Sequence, residues 1–500
     1  MRLFFLLLFA GVLKVNAQPD SVYTSWVAAK AYPEKVYQLK LRLRTERKAK
    51  LDEVEIFPNL IDLDISWSDI TLLPKFVYQS KKIKRLSMYH NHALGYSNYI
   101  DSIEFDRLAH LESLNIGDCG IKKLPEGLLR LTNLKELDIR ENDMDNCPSF
   151  ENLGKLEKLH IPWINIPKHF KGFKKLVNLK YLSAVNKDVL RYFPVLKNLE
   201  AYVNFSGDSQ FKKGTRIKSL TLGNLHKVPA SLQRIRGLES LTLRGEFKQL
   251  PKFILNKSRL HTLQIVSSEL QQLPAVKHPP RKTLHKLVII GGRMDRIPRA
   301  VRQYKELRYL KISKCYAIKK ITSHLNNRFL RNIDLSSNSI SSFDDKADLG
   351  PCDSLNISGN RFTELGDNFY GRWGTNFGQL RFLDVSNNDI LFLGESIEKL
   401  KYLEILIADN NRMIVLPETF FKLQRLRYCE LRNNLLRHIE PECGNLKNLK
   451  YLNLSHNRLR YMPNTVMEIK KLDKLDLRMN AFSMDYRLEL INRWPGVLLD

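Results

Sequence analysis

A pattern of the form LxxLxLxxNxLxxLP recurs along this 500-residue chain, and so short a recurring unit leaves few folds open. It is clearest near the C-terminal end, where units led by Leu403, Leu426, Leu449 and Leu472 follow one another at intervals of 23 residues. Earlier units begin near Val36, Leu60, Ile83, Leu111, Leu134, Leu156, Leu179, Leu199, Ile217, Leu238, Leu260, Leu284, Leu307, Leu330, Cys352 and Leu380, making 20 in all. One unit cannot bury its own apolar side. Stacked units can, so the pattern predicts a solenoid with one shared core, where length alone would suggest two to four globular domains.

Within each unit the LxL pair alternates with polar residues, which predicts a short strand with two side chains inward and its neighbours outward. The Asn that follows carries an amide able to satisfy backbone groups where the chain turns. Stacked, these residues predict a ladder through Asn338, Asn360, Asn388, Asn411, Asn434, Asn457 and Asn480. Proline in Leu73-Pro74, Leu124-Pro125, Ile297-Pro298 and Leu416-Pro417 opposes regular helix, so the far side of each unit should be extended or 3-10.

These residues resemble the leucine-rich-repeat family, specifically its 23-residue class with Leu-Pro after the Asn turn. The run from Ser25 to Leu39 resembles the capping helix and Pro-Glu-Lys-Val entry of bacterial exported members. The resemblance covers roughly residues 21 to 500. It implies an α/β solenoid, a horseshoe with a parallel concave β-sheet and a convex side of extended and 3-10 segments, and a protein-binding role.

The N-terminus reads as an export signal. Arg2 supplies a positive start, Leu3 to Leu13 carries no charge, and Val15-Asn16-Ala17 places small residues before Gln18. The expected organisation is a signal peptide over 1–17, a capping helix over 18–35, the array over 36–480 and a C-terminal cap over 481–500. Tyr486 to Arg493 reads as a terminal helix and Val497-Leu498-Leu499 as a closing segment. The destination is then periplasmic, cell-surface or secreted. No later stretch is long and apolar enough for a transmembrane helix.

Register fixes the cysteines too. Cys119 and Cys315 stand at the Asn position, Cys352 and Cys429 at strand-core positions, Cys147 at the Leu of Leu-Pro, and Cys443 on the far-side core row. All six are expected to be unpaired apolar residues. Between Leu179 and Leu238 the spacings shorten to 20, 18 and 21 residues, a place where the stack should tighten or break. Two 28-residue units carry insertions, His92 to Asp106 and Gly366 to Gln379.

Outward strand residues fall two, four and six positions after each leading residue and should form rows across the sheet. One row reads Tyr309, Asn332, Ser354, Phe382, Ile405, Tyr428, Tyr451, and the next includes Lys311, Asp384, Ile407 and Glu430. The third includes Asp409, Arg432 and Arg478. Aromatic and aliphatic area beside mixed polar groups is what a protein-binding patch needs. Ordinary strand propensity would place the same residue types there. The candidate partner-binding residues are therefore Tyr309, Lys311, Phe382, Asp384, Ile405, Ile407, Asp409, Tyr428, Glu430, Arg432, Tyr451 and Arg478.

The net charge of +28 falls mostly elsewhere. Lys135, Lys180, Arg308, Arg331, Arg381, Arg427 and Lys450 directly follow a leading residue, on the edge entering the sheet. Lys218 holds the same edge position, and such a rim suits either solvation or an anionic polymer or surface glycan. It lacks the interleaved aromatics and motifs of a nucleic-acid binder.

Catalytic and metal signals are weak. His90 and His92 bracket a ladder Asn, and His261 and His285 are equivalent in adjacent units, but neither pair has the spacing of a structural zinc site. Asp384, Asp409 and Glu430 should lie near one another, but on an open sheet without a pocket to shift their pKa values. There is no Gly-rich phosphate loop and no G-x-S-x-G elbow. The expectation is a non-catalytic binder with no cofactor and no metal. Should the signal be misread, the alternative is an intracellular scaffold resembling the Ras-suppressor type of the family.

Overall fold

The computed structural model describes residues 22–42, 57–96, 98–162, 164, 172–184, 196–205, 207, 210–274, 284–344, 346–347, 349–366, 379–494 and 496–500. The expected signal peptide, and nearly all of the insertion after Gly366, lie outside them. The chain divides into two compact units, residues 1–206 and 207–500. The division falls within the stretch of shortened repeats.

Every one of the 20 leading residues is followed, two positions later, by the first residue of a strand: Gln38 after Val36, Asp62 after Leu60, and so on to Lys474 after Leu472. In the first unit, parallel strands run from Val22–Tyr23 and Gln38–Lys40 through Glu136–Asp138 to Ala201–Asn204. The helix Trp26–Ala31 opens with the Ser25 side chain accepting from the Ala28 backbone. Its Trp26 ring lies 5.4 Å from both Phe57 and Phe76, covering the apolar end of the stack.

In the second unit, parallel strands run from Ser219–Leu225 to Val497–Leu498, the last paired with Leu475 and Asp476. Early strands are long: Ser219–Leu225 has 7 residues, and Ser240–Gly245 and Thr262–Ser267 have 6 each. Later ones, such as Tyr428–Glu430, have 3. The cause lies in the ladder position. Early repeats place Leu225, Glu246 and Ser268 there, and without the ladder amide pairing runs on to Gly245 and Ser267, in the first strand across a left-handed Asn224 (φ 52°) and a register shift between Leu222 and Leu225.

Where the ladder Asn is present it works as expected. Asn434 donates to the carbonyls of Ala408 at 3.0 Å and Leu431 at 3.1 Å, and accepts from Met413 N at 3.2 Å. Just before many ladder positions the backbone is left-handed, as at His90, Asp118, Ser337, Asn410, Asn433 and His456. Beyond the ladder the chain forms 3-10 turns such as Glu418–Lys422 and Asn464–Glu468, with one-turn α-helices such as Lys252–Leu255.

The core between strands and turns is aliphatic. Leu406, Cys429, Leu452 and Leu475 stack in register and are all 5% exposed or less. Each such buried leucine contributes about 1.5–3 kcal/mol over an exposed one. All six cysteines are unpaired; Cys147 is partly accessible and the others are buried. After the last repeat, the helix Met484–Arg493 is capped by Ser483 and tied back by Tyr486, whose hydroxyl donates to Met462 O at 3.0 Å.

Candidate functional site

Parallel pairing fixes the sheet face of the second unit side chain by side chain. Phe382 pairs with Ile405, Ile405 with Tyr428, and Tyr428 with Tyr451, so these four stand side by side on successive strands. Each is half-buried, as are Tyr309 and Ile407. The Tyr428 and Tyr451 rings stack at 4.4 Å with their planes 6° apart, and Lys474 Nζ lies 5.4 Å from the Tyr451 ring. Such a stack adds about 0.5–1.5 kcal/mol and fixes both rings before any partner arrives.

The polar rows behave less simply. Asp384 was expected on an accessible face, but it is buried, its Oδ1 accepting from the Ser386 amide at 3.0 Å and hydroxyl at 2.7 Å. It braces its own turn. Lys311 is tied to Asp334 at 2.7 Å, and Arg478 forks onto the buried Asp476 at 3.0 and 2.6 Å. Arg432 is exposed, its backbone N donating to Asp409 Oδ1 at 2.8 Å and its guanidinium 3.4 Å from the His456 ring.

The expectation that carboxylates on this face would keep ordinary pKa values is overturned. Asp409, Glu430, Arg432, Tyr451, His456 and Arg478 line a recess of about 690 Å³ together with Asp476, Lys474 and Asp500. Burial and the adjacent Glu430 carboxylate push Asp409 up to about 7. Burial also raises Glu430, against the hydrogen bond it accepts from the Tyr428 hydroxyl. Strands sit only ~4.8 Å apart, so acids on neighbouring repeats share one poorly solvated space.

This makes a pH-dependent stability. The folded pKa of Asp409 lies above its unfolded value of 3.8, so the stabilisation by its protonated form is complete below about pH 4 and is lost as pH rises through about 7. Asp409→Asn keeps the acceptor for Arg432 N and removes the charge. It should stabilise the chain at pH 8 by about 1–2 kcal/mol, after discounting for solvent screening, and clearly less at pH 5. Thermal unfolding at the two pH values checks this; an equal shift at both would contradict it.

The basic rim is mostly paired with acids of the same and neighbouring repeats. Lys135 meets Glu112 at 2.7 Å, Lys180 meets Glu157 at 2.8 Å, and Arg381 and Arg427 share Glu404 at 3.4 and 3.7 Å. Of a second basic feature, the sequence singles out only Lys218. Lys213, Arg216, Lys218, Arg234, Arg236 and Arg259, with Glu239, line a recess of about 390 Å³ in the shortened repeats of the second unit. In the first unit, His90 and His92 gain a third neighbour, Asp118, from the next repeat.

A strand in every unit, with a ladder amide and a 3-10 or one-turn α segment in many of them, decides the architecture. The chain is built of leucine-rich repeats. A family model described as leucine rich repeat matches residues 424–482, the span of the most regular repeats. Among solved structures, a chain of the TLR13–ssRNA13 complex aligns at 20% identity with a TM-score of 0.57, covering 81% of this chain and 67% of that one. A leucine-rich-repeat protein of Leptospira interrogans aligns at 20% identity with a TM-score of 0.43, over 96% of this chain and 100% of that one. No curated protein matches the sequence. No helix among the described residues is long and apolar enough to cross a membrane.

Proposed function

We propose that this leucine-rich-repeat chain is an exported, non-catalytic interaction protein that grips a protein partner on the sheet face of its last repeats. The observation that carries this reading is the registered row Phe382, Ile405, Tyr428 and Tyr451, half-buried and beside the recess of mixed charge that holds Asp409 and Glu430. Preformed aromatic area costs little entropy to bury, and adjacent desolvated acids select a cationic group on the partner. The likeness to the TLR13 complex is one of fold and brings no ligand with it. Export rests on the N-terminal pattern of Arg2, the apolar run and Val15-Asn16-Ala17.

The double variant Tyr428→Ala/Tyr451→Ala should weaken capture of the partner by about 30-fold or more while the circular dichroism spectrum stays native. Unchanged affinity would reject this face. Mass spectrometry of the mature chain should find it starting at Gln18. A chain retaining Met1 would favour an intracellular scaffold instead.

The basic recess between Lys213 and Arg259 supports a second reading, binding of an anionic polymer or surface glycan. Salt separates the two. Binding through clustered cations falls steeply as ionic strength rises, whereas binding through the tyrosine row changes little.

A further inference from the structure

Three potential metal ligands converge in the first unit although the sequence sets them 28 residues apart. His90 and Asp118 occupy the same place in successive repeats, one residue before the ladder positions Asn91 and Cys119, and both are left-handed with φ of 58° and 52°. His92 follows Asn91 directly. His90 Nδ1 lies 2.5 Å from Asp118 Oδ2, and His92 Nε2 lies 3.1 Å from Asp118 Oδ1. One ligand atom from each of the three falls within 4.8 Å of the others.

We propose that His90, His92 and Asp118 form a binding site for a divalent d-block cation of the Zn²⁺ class. Two imidazole nitrogens and one carboxylate oxygen make a borderline donor set, which suits such an ion better than Ca²⁺ or Mg²⁺, whose sites are all oxygen. Tetrahedral donors about 2.1 Å from zinc stand about 3.4 Å from one another, so the 2.5 Å His90–Asp118 contact opens by about 1 Å, and a pair as far apart as 4.8 Å closes by about 1.4 Å, to admit the ion.

The frame around the three is already fixed. The Asn91 side chain donates to Met88 O at 2.7 Å and Ile65 O at 3.1 Å, and accepts from Ser68 N and Ile70 N. Those four bonds pin the turn that aims both imidazoles. Trp67 stacks on the His90 ring at 3.5 Å, and Tyr96 meets the His92 ring edge-on at 5.9 Å. Neighbouring candidates are otherwise engaged: the Cys119 thiol donates to Met88 O at 3.1 Å, and Glu141 accepts from the Tyr89 hydroxyl at 2.9 Å. The three ligand side chains are 21%, 35% and 26% exposed, which leaves a further coordination position open to water.

A hydrogen-bonded His-Asp-His cluster without an ion is the competing account, and equilibrium dialysis decides between them. The full chain, stripped with chelator, is dialysed against Zn²⁺ alone and its bound metal measured. One saturable equivalent is expected, weakened about 100-fold or more in His90→Ala/His92→Ala. Asp118→Asn and His92→Gln, which touch no core residue, should each weaken it as well and guard against a folding defect in the double variant. Co²⁺ in place of Zn²⁺ should give the visible absorption of a low-coordinate nitrogen and oxygen site, lost in the same variants. Absence of a saturable equivalent, or one of equal affinity in all three variants, overturns the proposal.

Discussion

Replacing Asn434 by leucine should destabilise the second unit by about 2–4 kcal/mol. The two side chains share heavy-atom number and branching, but two methyl groups are bulkier than the amide, so the loss combines missing hydrogen bonds with overpacking. Asn434 is 4% exposed and answers the carbonyls of Ala408 and Leu431 and the amide of Met413, which belong to its own repeat and the one before. Leucine orphans Met413 N, at about 1–3 kcal/mol, and strips one of two amide donors from each carbonyl, since Asn411 still reaches Ala408 O at 3.1 Å and Asn457 still reaches Leu431 O at 2.9 Å. Leu436 N has its own acceptor in Asn457 Oδ1, so the next rung can persist. Hydrogen exchange should therefore show faster exchange concentrated around residues 408–436, since repeats couple chiefly to their neighbours. A loss below about 1 kcal/mol would mean that water or slack in the turn replaces the amide.

Replacing Leu431 by aspartate should cost about 4 kcal/mol or more near neutral pH. Leu431 is 1% exposed in the aliphatic column behind the strands, with no cation in that column to pair with an acid. Burying an ionised carboxylate there is prohibitive, so the group would be protonated in the folded chain and its pKa raised. The sign follows: the folded state binds a proton that the unfolded state has released, and the penalty grows as pH rises above about 4. Thermal melts at pH 5 and pH 8 should show the larger loss at pH 8. A variant equally stable at both would place Leu431 outside the core.

Strand register was almost wholly legible in the sequence, because a leucine at fixed spacing records directly which side chains face inward. Val36 to Leu472 each predict a strand two residues later, even through the shortened repeats around Leu199 and Ile217. Depth was not legible. Asp384 and Ile407 pair across adjacent strands in one outward row, but Asp384 is buried by its bonds to Ser386 while Ile407 is half-buried. The raised pKa of Asp409 arises because Glu430 and the closing end of the unit crowd the same recess, a distance in space that spacing does not record. The company of His90 and Asp118 was hidden by the 28-residue repeat. Counting back from the ladder positions Asn91 and Cys119, rather than forward by 23, would have revealed it.

Photo-crosslinking tests most directly whether the sheet face of the last repeats takes the partner. A benzoylphenylalanine placed at Ile407, between Asp384 and Glu430 on the sheet, is compared with one at Tyr461, which is 71% exposed beyond the ladder. Irradiation in native extract should join one protein to position 407, compete away with unlabelled chain, and leave position 461 unmodified. A competable adduct at 461 with none at 407 would put the binding surface on the other side of the repeats.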